Sequence, residues 1–379
     1  MPTSRAAVAE ELSRRLFLTD THCHIRLASS LCETDAHSET VKTPFSCGVR
    51  KAIVCGTHPD IDWPLIETAA TASASSSLRL EPASSCVEVD MQGFVVPGFG
   101  IHPWFVPHDE EEEGQCTAHD LGHIGGDLPA GRSPTELLEL LENALRRFPQ
   151  AIVGEIGLDK LRGPPEAVQL PLFLAQMRLA ARYDRVVSVH CVRSFGTMLT
   201  ALQQLKPEDT PPAILLHGFT GSLDFVRSSL KIRKKFEMSA SACARATVKA
   251  QPIRIYFGVG AATSLRVKGF LERTLPFLLE EGRAILETDA HYLLCYSDVA
   301  SDSPVTPPQE TELPGHTVGA AAGVDGRSPV LRVCGCAELA RALAVISDNN
   351  FDAAERLVLR CEEAFMGALS LSTHRPPTE

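Results

Sequence analysis

The sequence predicts an α/β chain folded as a closed (β/α)8 TIM barrel with long loop insertions, and two observations carry that expectation. Strand-like and helix-like stretches alternate about eight times along the 379 residues, the signature of parallel α/β architecture. Six side chains of metal-binding type, His22, His24, Glu155, His190, His217 and Asp289, follow five apolar runs that read as strands. Alternation alone fits an open sheet equally well, but an open sheet gathers ligand contacts at one switch point. A barrel brings groups from many strand ends to one mouth, and residues from five strands need that convergence.

Residues 1–15 read as a helical or frayed lead-in, in which Arg14 and Arg15 are too few for a targeting signal. The apolar run Leu16, Phe17, Leu18 leads into Asp20-Thr21-His22-Cys23-His24. Residues two apart in a strand share a face, so His22 and His24 set two imidazoles side by side as half of a metal site. The same alternation turns Cys23, and Cys191 beside His190, away from the ligand face. A polar insertion at 26–48 precedes a second strand at 51–56 and a helix near 63–72. Residues 73–92 begin with the Ser/Ala-rich composition of a surface insertion. The third strand, 94–100, carries Pro97 and is imperfect for it; it runs into Ile101-His102-Pro103-Trp104. Residues 105–132, acidic and then Gly-rich, read as a flexible insertion.

A helix signal returns at Ser133-Pro134-Thr135-Glu136, which combines a capping residue, proline at the first helical position and the glutamate of a capping box. Leu137, Leu138, Leu141, Ala144, Leu145 and Phe148 follow at helical spacing, and the helix leads to the strand carrying Glu155. The pattern repeats with a helix near 166–183 and a strand to His190, a helix at 194–205 and a strand to His217, then a helix at 223–234. Either 236–239 or 253–259 fits the seventh strand. The second is preferred because a helix over 265–281 follows it and leads to the strand before Asp289. Residues 300–330, rich in Pro, Ser, Thr and Gly, form another flexible insertion or linker. Helices near 336–346 and 352–369 close a single domain spanning 1–379.

Apolar content of 44% suits a large soluble core. No apolar run is long enough to span a bilayer and the N-terminus lacks a signal-peptide core, so a cytoplasmic location, with the nucleus also open, and no membrane partner are expected. The net charge of -11 gives no hint of a general polyanion binder, although part of it sits in the block Glu110, Glu111, Glu112, Glu113. Twelve cysteines are scattered without a Cys-x-x-Cys pair, and Cys334-Gly-Cys336 is too tight for zinc. Reduced, buried thiols are expected.

Four imidazoles and two carboxylates suit zinc, manganese, iron, cobalt or nickel, and a carboxylate can bridge two such ions; magnesium is less natural among so many nitrogens. Two metals roughly 3.5–4 Å apart would clamp the attacking and leaving oxygens of a displacement and activate a water, which points to hydrolysis.

The stretches Asp20-Thr-His-Cys-His24, Gly100-Ile-His-Pro103, Gly154-Glu-Ile-Gly-Leu-Asp159, Val189-His190, Leu216-His217-Gly-Phe-Thr-Gly221 and Glu287-Thr-Asp289 together resemble the TatD-type metal-dependent hydrolases of the amidohydrolase superfamily, DNases in the characterised cases. The resemblance implies two divalent ions (Mg, Mn or Zn), one held by His22, His24 and Asp289 and the other by His190 and His217, with Glu155 bridging. It makes Glu155 and Asp289 the catalytic carboxylates, and DNA, as single strands or ends, the substrate. His102 looks like the family's histidine near the substrate phosphate, with loop capping as the rival role. Asp20 either orients the first histidines from behind or faces solvent; Arg193 either meets a phosphate oxygen or forms a surface ion pair.

The carboxylate at the fourth strand separates the chain from relatives that use a carboxylated lysine, since Lys160 lies five residues beyond Glu155. His291 stands where the family commonly has proline, and no Asn-Glu-Pro-like stretch follows. No helix-turn-helix, zinc finger or basic stripe is recognisable, which favours sequence-independent action. The alternatives are an amide, ester or small phosphoester hydrolase on the same site, and a barrel scaffold binding protein partners through its insertions. The complete ligand set stands against the scaffold.

Overall fold

The computed structural model describes residues 17–28, 48–81, 92–108, 131–234, 251–297, 327–333 and 335–349, with positions 367 and 369. The expected lead-in and most of the final helix, and the greater part of the expected insertions at 26–48, 105–132 and 300–330, lie outside those residues. The chain starts with β1 (Phe17–Leu27) and β2 (Gly48–Cys55), then α1 (Trp63–Ala74), β3 (Arg79–Glu81) and β4 (Val95–Phe99). After them come α2 (Pro134–Arg147), β5 (Ile152–Asp159), α3 (Glu166–Arg182), β6 (Val187–Val192), α4 (Phe195–Gln204) and β7 (Ile214–Leu216). Next are α5 (Leu223–Leu230), the short pair β8 (Arg233–Lys234) and β9 (Gln251–Pro252), and β10 (Ile255–Val259). Last are α6 (Leu275–Glu280), β11 (Ala284–Leu286), β12 (His291–Ser297), β13 (Ser328–Arg332) and α7 (Gly335–Asn349).

Parallel ladders run β1-β2-β4-β5-β6-β7-β10-β11. The ring closes from β11 to β1, where the Thr21 hydroxyl donates to the Leu286 carbonyl at 2.6 Å and the Asp289 backbone N–H to the His22 carbonyl at 2.9 Å. These strands read as apolar runs because they are covered on both faces: Ile53, Val153, Val187, Leu215, Phe257 and Ala284 are all fully buried. Each of the larger side chains among them, Val, Leu, Ile or Phe, contributes about 1.5–3 kcal/mol on leaving water. β1 outruns the ring. Its last residues pair in parallel with β12, which pairs antiparallel with β13, which pairs in turn with β3.

Local chemistry sets several elements. Ser133 and Glu136 make the reciprocal capping box that the sequence predicts, and Leu137, Leu141, Ala144 and Leu145 form the buried face of α2. Two buried glutamines of α3 act as backbone partners. Gln176 accepts from the Ile101 N–H at 2.8 Å and donates to its carbonyl at 3.1 Å, fixing the chain one residue before His102.

Several boundaries need correction. β1 continues to Leu27, so His22 and His24 lie inside a strand rather than at its end, because β12 supplies it with a further partner. The expected insertion at 73–92 contains the end of α1 and β3, and Phe105 and Val106 at the start of 105–132 are buried. The helix expected over 223–234 ends at Leu230, since Arg233 and Lys234 pair with β9. The helix expected over 265–281 is broken into a 3-10 turn, a π turn and α6. Gly269 takes a left-handed φ of 77° there, and Pro276 has no N–H to continue an α ladder. Ser328–Arg332, placed partly in the 300–330 linker, is a strand, and β12 was not expected at all; Tyr292–Cys295 and Val330–Leu331 are buried and favour pairing.

Cys23, Cys55, Cys191 and Cys295 are buried and take part in no disulfide among the described residues. Among the described residues no helix is long and apolar enough to cross a membrane. Gln176→Ala is expected to cost about 3 kcal/mol in urea unfolding, because two buried backbone groups lose their partners. A loss below about 0.5 kcal/mol would contradict this role.

Candidate metal centre

The ligand-bearing strands are irregular where the ligands occur. The β1–β2 register slips between Asp20 and Cys23, and the β5–β6 register between Val153 and Ile156. Such slips re-aim side chains, here turning His22 and Glu155 inward. His190 lies within β6, His217 directly after β7, and Asp289 three residues past β11 with a left-handed φ of 58°.

The other five predicted ligands converge around the buried carboxylate of Glu155. Its Oε1 lies 2.5 Å from His217 Nε2, 3.0 Å from His190 Nδ1 and 3.5 Å from His102 Nε2. Its Oε2 faces the other way, 3.6 Å from His24 Nε2 and 3.9 Å from His22 Nε2. Asp289 Oδ1 completes that side, 3.2 Å from His24 Nε2 and 3.8 Å from His22 Nε2. Three groupings have ligand atoms mutually within 4.8 Å: His22, His24 and Asp289; His22, Glu155 and His217; and His102, Glu155 and His190. The first is the expected trio. In the other two, His190 and His217 each join Glu155 separately, although their nitrogens are 3.3 Å apart.

The donor set fits cations. His22 Nε2 is buried with no hydrogen-bond partner while aimed at two carboxylate oxygens just beyond hydrogen-bond range. The outer ring nitrogens are held from behind. His24 Nδ1 donates to the Cys55 carbonyl at 2.9 Å, which places its proton there and leaves Nε2 facing inward. His22 Nδ1 pairs with Ser188 Oγ at 2.8 Å, and His190 Nε2 with Asp159 Oδ2 at 3.2 Å.

Asp159 and Ser188 are the residues that sequence reasoning missed. Asp159 also accepts from Trp104 Nε1 at 2.7 Å and from the backbone N–H groups of Leu161 and Arg162. Strand period two carried a signal for both: Asp159 shares a face with Glu155, and Ser188 with His190. Glu287 was quoted only within a motif. It is fully buried and accepts from the Gly218 N–H, and burial pushes its carboxyl well above the usual range.

The remaining predicted residues sort differently. Asp20 is buried, not solvent-facing, and its carboxylate binds Thr288 N at 3.0 Å, Thr288 Oγ1 at 2.6 Å and the Tyr292 hydroxyl at 2.9 Å. It thereby steadies the turn carrying Asp289, and a backbone hydrogen bond from His22 ties it to β1 as well. His102 takes the loop-capping role, its Nδ1 accepting from the Trp104 N–H, while its Nε2 faces Glu155. Arg193 is exposed one residue past β6.

Protonation follows from the same geometry. Burial opposes charging of His24, but the Asp289 hydrogen bond and the Glu155 charge outweigh it and raise its pKa to about 10. Burial likewise opposes His190, yet Asp159 and Glu155 raise it to about 9. His22 goes well below its ordinary value through burial and the neighbouring His217. Burial and the nearby His190 outweigh the charge of Glu155 at His102 and lower it to about 4. Glu155 and Asp289 stay ionised despite burial because imidazoles surround them.

Ionised carboxylates and inward imidazoles from several barrel strands define a metal-dependent hydrolase. The family model described as TatD related DNase matches residues 19–300, and the chain belongs to that family. It is 28% identical to Cut9-interacting protein scn1 of Schizosaccharomyces pombe over 289 residues, 59% of this chain and 78% of that protein. It is 38% identical to the uncharacterized metal-dependent hydrolase YjjV of Escherichia coli over 102 residues, 25% of this chain and 38% of the relative. It is 30% identical to the 3'-5' ssDNA/RNA exonuclease TatD of Erwinia billingiae over 190 residues, 49% of this chain and 62% of the relative.

Ligation requires His24 and His190 to give up their extra protons, so metal binding is expected to release protons and to strengthen with pH up to about 9 to 10. The expected slope is about tenfold in affinity per pH unit for each proton released. Calorimetric titration in buffers of different ionisation enthalpy measures it; affinity flat between pH 6 and 8 would contradict the assignment.

Proposed function

We propose that this protein hydrolyses phosphodiester bonds in single-stranded nucleic acid, most directly DNA, using two divalent cations. The observation that carries the two-cation reading is the division of Glu155: one carboxylate oxygen faces His190 and His217, the other His22 and His24. His22, His24 and Asp289 would hold one ion, His190 and His217 the other, with Glu155 shared. Bound there, such ions would supply Lewis acidity and lower the pKa of an attacking water.

The chain's own residues supply the rest. Asp289, ionised and held by Asp20 through Thr288, stands where it can take the proton of the water. His102 is neutral at physiological pH, and because its Nδ1 accepts a backbone bond, its proton resides on Nε2, which faces Glu155. Bound cations would offset the chain's negative charge near a polyanionic strand. The nuclease reading draws support from the relatives named as ssDNA/RNA exonucleases. Manganese, zinc or magnesium is the candidate ion.

A second reading, in which the barrel binds a protein partner, is favoured by the relative named for its interaction with Cut9. In that case the predicted insertions would carry the contact, and the metal site could be silent.

With manganese saturating, Asp289→Asn is expected to lower kcat on a single-stranded oligonucleotide by about 10²–10⁴-fold. Wild-type protein is expected to leave amide substrates intact. Near-normal turnover by the variant would remove Asp289 from the proton step. Metal-loaded wild type that cuts amides but no phosphodiester would overturn the function.

A further inference from the structure

We propose that Lys160, Leu161 and Arg162, with Trp104 beneath Arg162, form a ledge that receives the nucleotide next to the scissile phosphate of a single strand. The assignment rests on the reading of the substrate given above and names where that substrate lies. The ledge begins one residue past Asp159, the carboxylate that holds His190. Trp104 touches both inward histidines edge-on, with ring centroids 4.7 Å from His102 and 6.2 Å from His190. The Arg162 guanidinium covers the indole at 5.0 Å. A line of adjoining rings and the Arg162 guanidinium thus leads from the candidate metal centre to the rim.

The ledge is rigid before any substrate arrives. Asp159 Oδ1 accepts from the backbone N–H of Leu161 at 2.7 Å and of Arg162 at 3.1 Å, while Asp159 Oδ2 pins the indole. From α3 the buried Gln169 amide donates to the carbonyls of Asp159, Arg162 and Pro164 and accepts from the Asp159 N–H. Gly163 takes a left-handed φ of 75°, and a Cβ there would lie 2.9 Å from the Pro103 carbonyl oxygen and the Trp104 Cα. Only glycine lets this loop press onto the turn that carries His102.

What the ledge presents is chemically specific. An exposed leucine alone signifies little, but Leu161 is 68% exposed on a fixed loop between two exposed cations. An apolar surface and a planar guanidinium suit the faces of a base, and Lys160 and Arg162 suit phosphates on a flexible backbone. A duplex keeps its base faces stacked and would leave the ledge unused, so the occupant is single-stranded.

The test measures binding of a fluorescent, uncleavable phosphorothioate oligonucleotide to the metal-loaded protein by anisotropy. Arg162→Ala is expected to weaken binding about tenfold and to flatten the dependence of log Kd on log salt by about 0.7. Arg162→Lys is expected to keep the salt slope but lose most of the affinity, since lysine retains charge without the plane. Metal content of each variant reports whether the centre is intact. Wild type that binds with this pattern but cuts no phosphodiester keeps the ledge and removes the hydrolase reading. Normal binding by both variants alongside normal cutting removes the ledge alone, and absence of wild-type binding removes it as well.

Discussion

The structure depends on one buried charge. Glu155 is 3% exposed, and an ionised carboxylate there is tolerable only with cationic or hydrogen-bonding partners on each oxygen. Imidazoles from β1, from β6 and from the turns after β4 and β7 supply them, and Asp289 balances His24 on the far side. Loss of one partner from a buried pair typically costs about 3–5 kcal/mol, so the site constrains the barrel as firmly as the barrel constrains the site. Protons at His24 and His190 satisfy the carboxylates when cations are absent.

A second ring of bonds decides which nitrogen each imidazole offers. The Cys55 carbonyl, Ser188 and Asp159 hold the outer nitrogens of His24, His22 and His190, while the Trp104 N–H occupies the inner-chain nitrogen of His102. Asp20 works at one remove by tying Thr288 and Tyr292 together behind Asp289. All of these partners stand on or beside barrel strands, so packing of the strands sets ligand geometry to a precision that loops alone would not give.

The parallel strands were legible because burial on both faces leaves apolar runs, as at Ile214–Leu216 and Ile255–Val259. The candidate ligands were legible because each follows such a run. Asp159 and Ser188 share a strand face with candidate ligands and are found by the same counting. The partners of Asp20 are not, since Thr288 lies 268 residues away and meets it only when the ring closes. The broken helix after β10 shows periodicity overruled by local signals: the apolar spacing alone reads as one helix, and Gly269 and Pro276 interrupt it. β12 escaped notice because its partner β13 lies across a long polar stretch whose composition gave no sign of pairing.

The central claim, that Glu155 is shared between two cations, is tested most directly by anomalous diffraction from crystals loaded with manganese or zinc. The account predicts two peaks, one near Glu155 Oε2 among His22, His24 and Asp289, and one near Oε1 beside His190 and His217. One peak at saturating metal, or a pair that leaves Glu155 outside the coordination of either, would contradict it.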